Sequence, residues 1–429
     1  MNQAPEGFRP WEISALVNER VVQQHAEEAQ FLWSSRRRAT GNVAFDLASL
    51  SALDRRLEAH LAGLLQAADK GWESCLEGLE RATAGAVFTC AILAFSDSSK
   101  TRMRQTLLAA TADVDLSAGL MSALAWIEPA RVDEPIRLLS VSANALHRAI
   151  AIRARALQRD DSASVLQQAL RDADPRVRAV ALRGFGECMR RQSAPVLVEH
   201  LKDQDQRCRF WAAWSLALIA PNEHSAELLE FVDDDDPAVA YGATDLAVRM
   251  PPSDKAKELI RHLVNHSRWK GLAEAAVGAL GDSSGVPWLI ERLHNEAVAR
   301  VAGASFCAIT GVSLSKADLT HVGSADRADE GHPALGRPWM AATDGTPMPA
   351  ASKVEKWWST HRDAFPAGVR LLGGRPVDLP CALETLRTGN QLMRRSAALE
   401  VALRTVDSPL FEVRARGRYQ EAQLRQWTS

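Results

Sequence analysis

Tyrosine is almost missing, with two residues in a chain of 429. Alanine and leucine fill the apolar positions instead, and that mix favours helices over sheets. Close cysteine pairs are also missing. Cys75, Cys90, Cys188, Cys208, Cys307 and Cys381 are scattered with no Cys-x-x-Cys spacing, which argues against metal or redox use and predicts reduced, buried thiols. No apolar run approaches the length of a membrane span and no signal peptide opens the chain, so a soluble, cytoplasmic protein is expected. Neither sign of charge is in excess: 51 Lys and Arg against 53 Asp and Glu leave a formal net charge of -2. A protein living on nucleic-acid phosphate needs a strong basic excess on one face, so nucleic acid is not the expected partner, although a local basic patch stays open. Neither a Gly-x-Ser-x-Gly elbow nor a phosphate-binding glycine loop nor a zincin helix occurs.

What the chain has is a period. An apolar residue recurs at Leu108, Leu139, Leu170, Leu201, Val232, Leu263 and Leu293, at steps of 31 residues and a last step of 30. A fixed period of this size marks a repeat architecture. Within one period Val165, Leu166 and Leu170 form a first stripe, Asp172 to Pro175 a polar turn, and Val177, Ala181 and Phe185 a second stripe at helical spacing. The next units repeat this with Cys208, Ala212 and Leu216, then with Val239, Ala243 and Ala247. Asp174 and Asp236 stand where an N-cap belongs, each followed by a proline at the first helical position.

The run Asp174-Pro175-Arg176-Val177-Arg178-Ala179-Val180-Ala181-Leu182 resembles the short, bacterial form of the HEAT repeat. The resemblance implies an all-α, HEAT-like solenoid, a right-handed superhelix of helix pairs. Four segments are expected: an N-terminal helical segment over 1–70, anchored near its start by Trp11; the repeat solenoid over 71–310; an insertion over 311–375; and a capping helix pair with a tail over 376–429. The insertion holds Asp326, Asp329, Glu330, the prolines Pro333, Pro338, Pro347 and Pro349, and the loop Thr343 to Pro347. One helix is predicted in it, opened by a capping box of Ser352 with Glu355 ahead of Trp357 and Trp358.

Further runs, His25 to Trp33, Leu53 to Leu65, Phe306 to Gly311 and Val354 to Trp358, resemble a bacterial HEAT-repeat family encoded in type VI secretion gene clusters. That resemblance implies a setting beside secreted effectors and their spike proteins. None of its motifs is a catalytic signature.

Stacked repeats make an extended surface, lined mainly by the second helix of each pair, that suits a large partner. Arg178 and Arg209 stand at equivalent places one period apart. They read as a ladder to the Asp-rich turns of neighbouring repeats rather than as a basic stripe for binding. Arg176, Arg183 and Arg207 are the better candidates for partner contact. Trp211 aligns with Val180 and is expected to pack between helices; Trp214 aligns with Arg183 and is expected on the surface, where tryptophan beside arginine makes a hot spot. Tyr241, one period after Phe210, could extend that aromatic surface, although packing within the helix layer is the commoner outcome. Consecutive helix residues point about 100° apart, so one ring of Trp357 and Trp358 is expected to bury and the other to stay available. His60 reads as a satisfied helix histidine. HEAT-repeat hydroxylases hold di-iron with His-Glu dipeptides; none occurs here, and no metal or other cofactor is expected.

The resulting expectation is a non-enzymatic, protein-binding scaffold, an adaptor or chaperone for a type VI effector or its spike protein. Two other classes stay open: an enzyme like the HEAT-like bilin lyases or DNA glycosylases, and a purely structural or regulatory subunit. The acidic run Asp233 to Asp236 weighs against a glycosylase channel.

Overall fold

The structure is a computed structural model that describes residues 18–159, 163–188, 191–250, 253–321, 338–343, 345–405 and 408–427. Trp11, Asp326, Asp329, Glu330, Pro333 and Asp344 lie outside the described residues. The chain divides into two compact units, Met1–Arg37 with Ala52–Ala154, and Arg38–Ser51 with Arg155–Ser429. These units cut across the four segments drawn from the sequence: the insertion and the C-terminal pair belong to the same unit as the later repeats.

The first unit is built from α1 (Glu19–Ala39), α2 (Leu47–Gln66), α3 (Ala68–Glu80), α4 (Ala84–Ser96), α5 (Lys100–Ala110), α6 (Val114–Trp126), α7 (Pro129–Ser140) and the first part of α8 (Ala145–Gln158). Its core centres on Phe88, stacked on Trp33 at 5.6 Å and met edge-on by Trp126 at 5.6 Å. The 31-residue ladder starts one residue off. Leu108 is 66% exposed, while Thr106 and Ala110 are buried and Leu107 packs on the core. The inward stripe of α5 runs Met103, Leu107, Ala110, and Leu108 falls about 100° away from it.

The second unit holds α9 (Ala163–Ala169), α10 (Pro175–Glu187), α11 (Ala194–Glu199), α12 (Gln206–Ile219), α13 (Pro237–Ala247), α14 (Ser253–His266), α15 (Leu272–Leu280), α16 (Val286–Arg292) and α17 (Glu296–Thr310). The first element of the third pair of this unit is a 3-10 segment, Ala226–Phe231, in place of an α-helix. Asp174 and Asp236 cap α10 and α13 as their positions predict, and Asp205 caps α12 in the same way, each carboxylate accepting a backbone N–H of the first turn. The ladder here is buried at Leu170, Val232, Leu263 and Leu293, but Leu201 is half-buried and Leu197 takes the inward place in its pair.

The described part of the insertion is tied to the repeats through backbone. Within it Ala350 N donates to Leu319 O at 2.8 Å, and a hairpin of β1 (Leu371–Leu372) and β2 (Arg375–Pro376) is pinned to the repeats by Leu371 N to Gly281 O at 2.8 Å and Gly373 N to Ala308 O at 2.7 Å. The hairpin can press this close because Gly281 and Gly311 end α15 and α17 at φ +79° and +74°; a Cβ at either would strike a hairpin carbonyl. Between α17 and the hairpin run α18 (Pro338–Ala342) and α19 (Ala351–His361). The capping box at Ser352 is not formed. Helix α19 begins two residues earlier than that cap would place it, at Ala351, with Ala350 in the cap position and no side chain capping it.

The C-terminal pair, α20 (Leu379–Thr388) and α21 (Gln391–Arg404), does not extend the stack as an end cap. Helix α21 lies against the second-helix face, with Glu400 on Arg249 at the end of α13 and Arg395 over Tyr241. Its start is held by Gln391 N donating to Phe45 O at 2.7 Å. The tail, too short to classify from sequence, donates Leu410 N to Glu187 O at 2.8 Å and ends in α22 (Gly417–Gln426), whose Leu424 joins Phe411 and Ala398 in one small core.

Candidate partner-binding surface

The turns between paired helices use up most of the repeat arginines. Arg178 donates to the Asp203 carboxylate of the next repeat at 2.8 and 2.9 Å and to the Asp172 and Ala173 carbonyls of its own turn; Arg209 donates to the Asp203 and Gln204 carbonyls. Arg178 thus makes the rung to a neighbouring turn expected of the pair, whereas Arg209 stays within its own turn. Burial works against ionisation of Asp203, yet Arg178 and the Asp205 N–H hold its carboxyl at about 2. Two of the proposed contact arginines join the same turns: Arg176 forks onto Asp174 at 2.7 and 3.0 Å, and Arg207 reaches Asp236 at 2.9 Å. Both remain largely exposed, so their heads could still meet a partner, at the cost of sharing a carboxylate.

The aromatic residues of α12 are placed the other way round from the sequence alignment. Trp214 is 9% exposed and buried, whereas Trp211 is half-buried with the Arg183 guanidinium 4.6 Å above its ring. Trp214 as a surface contact is therefore corrected. The helix is apolar on nearly every side between Phe210 and Ile219, and Trp214 is buried with the rest of that run. Arg183 is bound to Glu187 at 2.7 Å while it stacks on Trp211. Tyr241 is likewise corrected as a surface residue: it is 6% exposed, with Trp339 at 5.7 Å on one side and Arg395 at 4.7 Å on the other.

Trp357 and Trp358 do not divide into one buried and one available ring. Both are half-buried, and both lean edge-on against Phe306 of α17, at 5.6 and 6.4 Å. Each carries a stacked neighbour outward: His361 on Trp357 at 4.2 Å and Phe365 on Trp358 at 5.6 Å. His361 is exposed. The result is a preorganised aromatic patch of four rings, rigid because its inner edge belongs to the core of α16, α17 and α19. Sequence reasoning missed His361 and Phe365, although His361 lies four residues after Trp357 and so shares its helix face.

The second-helix face beyond α12 is occupied by the chain itself. The Glu400 carboxylate, 1% exposed, accepts from Arg249 at 3.0 Å and Arg370 at 2.5 Å and is paired with Arg404. Burial would raise its pKa, but the three guanidiniums together hold it below the ordinary range. Arg249 also donates to Asp245 at 2.8 Å and to Ser396 Oγ at 3.0 Å.

His60 meets His25 with their Nδ1 atoms 2.9 Å apart, and burial together with that neighbour lowers its pKa. None of the six cysteines forms a disulfide; Cys307 is half-buried and the others buried. Among the described residues no three His, Cys, Asp or Glu side chains converge for a metal ion, and no helix is long and apolar enough to cross a membrane.

The HEAT repeats family matches residues 132–217 and again 162–245. The chain thus carries HEAT-like repeats in an all-α solenoid, a helical scaffold of a kind that commonly binds proteins. No curated protein matches the chain.

Proposed function

We propose that this chain is a non-enzymatic scaffold that holds one protein partner against the aromatic patch of α19, and that it serves as an adaptor or chaperone for a type VI effector or its spike protein in the cytoplasm. The observation that carries the location is the pair of stacks, Trp357 on His361 and Trp358 on Phe365, half-exposed on a rigid base. Rigid aromatic groups of this kind are the usual anchors of protein interfaces, because little side-chain entropy is lost when they bind. The alternative location, the second-helix face, is less open over α13 to α17, where α18 and α21 lie on it. What supports the type VI setting is the likeness of the runs His25 to Trp33, Leu53 to Leu65, Phe306 to Gly311 and Val354 to Trp358 to that family. No catalytic motif accompanies them.

The test is copurification of tagged full-length chain from its native host, with mass spectrometry of the eluate. The wild type is expected to bring down an effector or spike protein. The double variant Trp357→Ala, Trp358→Ala should lose roughly 2 kcal/mol or more of binding free energy, the range of anchor residues, while keeping its helicity. An eluate without such proteins, or equal capture by the variant, contradicts the proposal.

A further inference from the structure

Where α13, α15 and α17 meet α18 and α21, all within the second unit, a cavity of about 30 Å³ remains. That is room for about two or three waters. Its floor is apolar, from Ala275 on α15 and Val301 and Ala304 on α17, and its walls carry Tyr241, Arg249 and Arg395. Three hydrogen-bonding groups on those walls lack partners among the described residues. The Nε–H of Arg249, on a side chain 3% exposed, has no acceptor. The Tyr241 hydroxyl, on a residue 6% exposed, makes no hydrogen bond among the described residues, although its oxygen is not sealed from solvent as the Arg249 Nε is. The Arg395 guanidinium lies flat over the Tyr241 ring at 4.7 Å and has no carboxylate or carbonyl partner, so its N–H edge is unused.

The charges do not balance. Four arginines, Arg249, Arg370, Arg395 and Arg404, gather around two carboxylates, Asp245 and Glu400, which leaves two positive charges in excess. Arg395, half-buried, is the one of the four with no ion-pair partner among the described residues, and a partly desolvated cation gains from a counterion. A buried donor without an acceptor costs more than an exposed one. Both deficits are met by the same guest, an anion with oxygen acceptors. Asp245 on the wall disfavours a doubly charged guest, and the alanine floor suits a hydrocarbon stub. We infer that this cavity is a binding site for a small carboxylate bearing a short apolar group, with Arg395, Arg249 Nε–H and the Tyr241 hydroxyl as its donors. This goes beyond the partner surface on α19, and either assignment can fail without the other.

Isothermal titration of the full chain with propionate, with propionamide as the neutral isostere and with inorganic phosphate tests the assignment. Propionate should bind, propionamide should bind at least roughly tenfold more weakly, and Arg395→Gln should weaken propionate by a similar factor, as loss of a charge-assisted hydrogen bond does. Tyr241→Phe keeps the ring that Arg395 stacks on and should weaken binding several-fold, so the test survives if the arginine variant misfolds. A short peptide with a free C-terminal alanine forms the second arm. Binding tighter than propionate supports the site as a reader of chain ends; weaker binding beside intact propionate binding supports it as a site for free acids. Propionamide binding as well as propionate, phosphate binding more tightly than propionate, or unchanged affinity in both variants overturns the assignment.

Discussion

Glu400→Gln is expected to destabilise the second unit by about 3–5 kcal/mol, the range for breaking a buried ion pair from one side. The carboxylate is 1% exposed and serves three guanidiniums, Arg249, Arg370 and Arg404. Glutamine fits the space but leaves those charges facing one another in a dry environment, and helix α21 loses its hold on the end of α13. Urea denaturation followed by far-UV circular dichroism measures the change. The pH dependence follows from the sign of the shift. Glu400 titrates below the ordinary 4.5, so its contribution is complete above that value and is lost as pH falls through the lowered one. Wild type should therefore lose stability more steeply than Glu400→Gln as pH is lowered below 4.5.

Trp214→Ala should cost about 3–5 kcal/mol, as truncation of a buried tryptophan does, whereas Trp211→Ala should cost only about 1 kcal/mol, mainly its contact with Arg183. The two rings touch at 5.4 Å and sit three residues apart, yet one is core and the other half-exposed. The same denaturation measurement distinguishes them. Equal costs, or a larger one at Trp211, would return Trp214 to the surface and restore the alignment with Arg183.

This contrast shows what the repeat pattern can and cannot carry. Caps were legible: Asp174 and Asp236 each close a helix start ahead of a proline, and Asp205 does the same without the proline that marked the other two, because capping depends on a few neighbouring residues. The Arg178 rung to Asp203 was legible for the same reason, whereas Arg209 closes on its own turn. Alignment between repeats failed at Trp214, because α12 is apolar almost all round and its periodicity does not say which side faces solvent. The placing of α21 was not legible, since nothing local to Leu379 to Leu403 distinguishes stacking after α17 from lying on the second-helix face. A trace of it was present. Glu400 is a lone acid within Ala397-Ala398-Leu399-Glu400-Val401-Ala402, and an isolated charge in such a run demands a buried counterion. Its partner Arg249 is 151 residues away, beyond the reach of pattern reasoning.

The most direct test of the account is amide hydrogen exchange on the full chain with and without the partner captured from the host. Slower exchange over residues 351–365, with the second helices α13, α15 and α17 unchanged, is the result the account predicts. Protection gained along those second helices, with 351–365 exchanging as before, would contradict it and return the partner to the face that α21 covers.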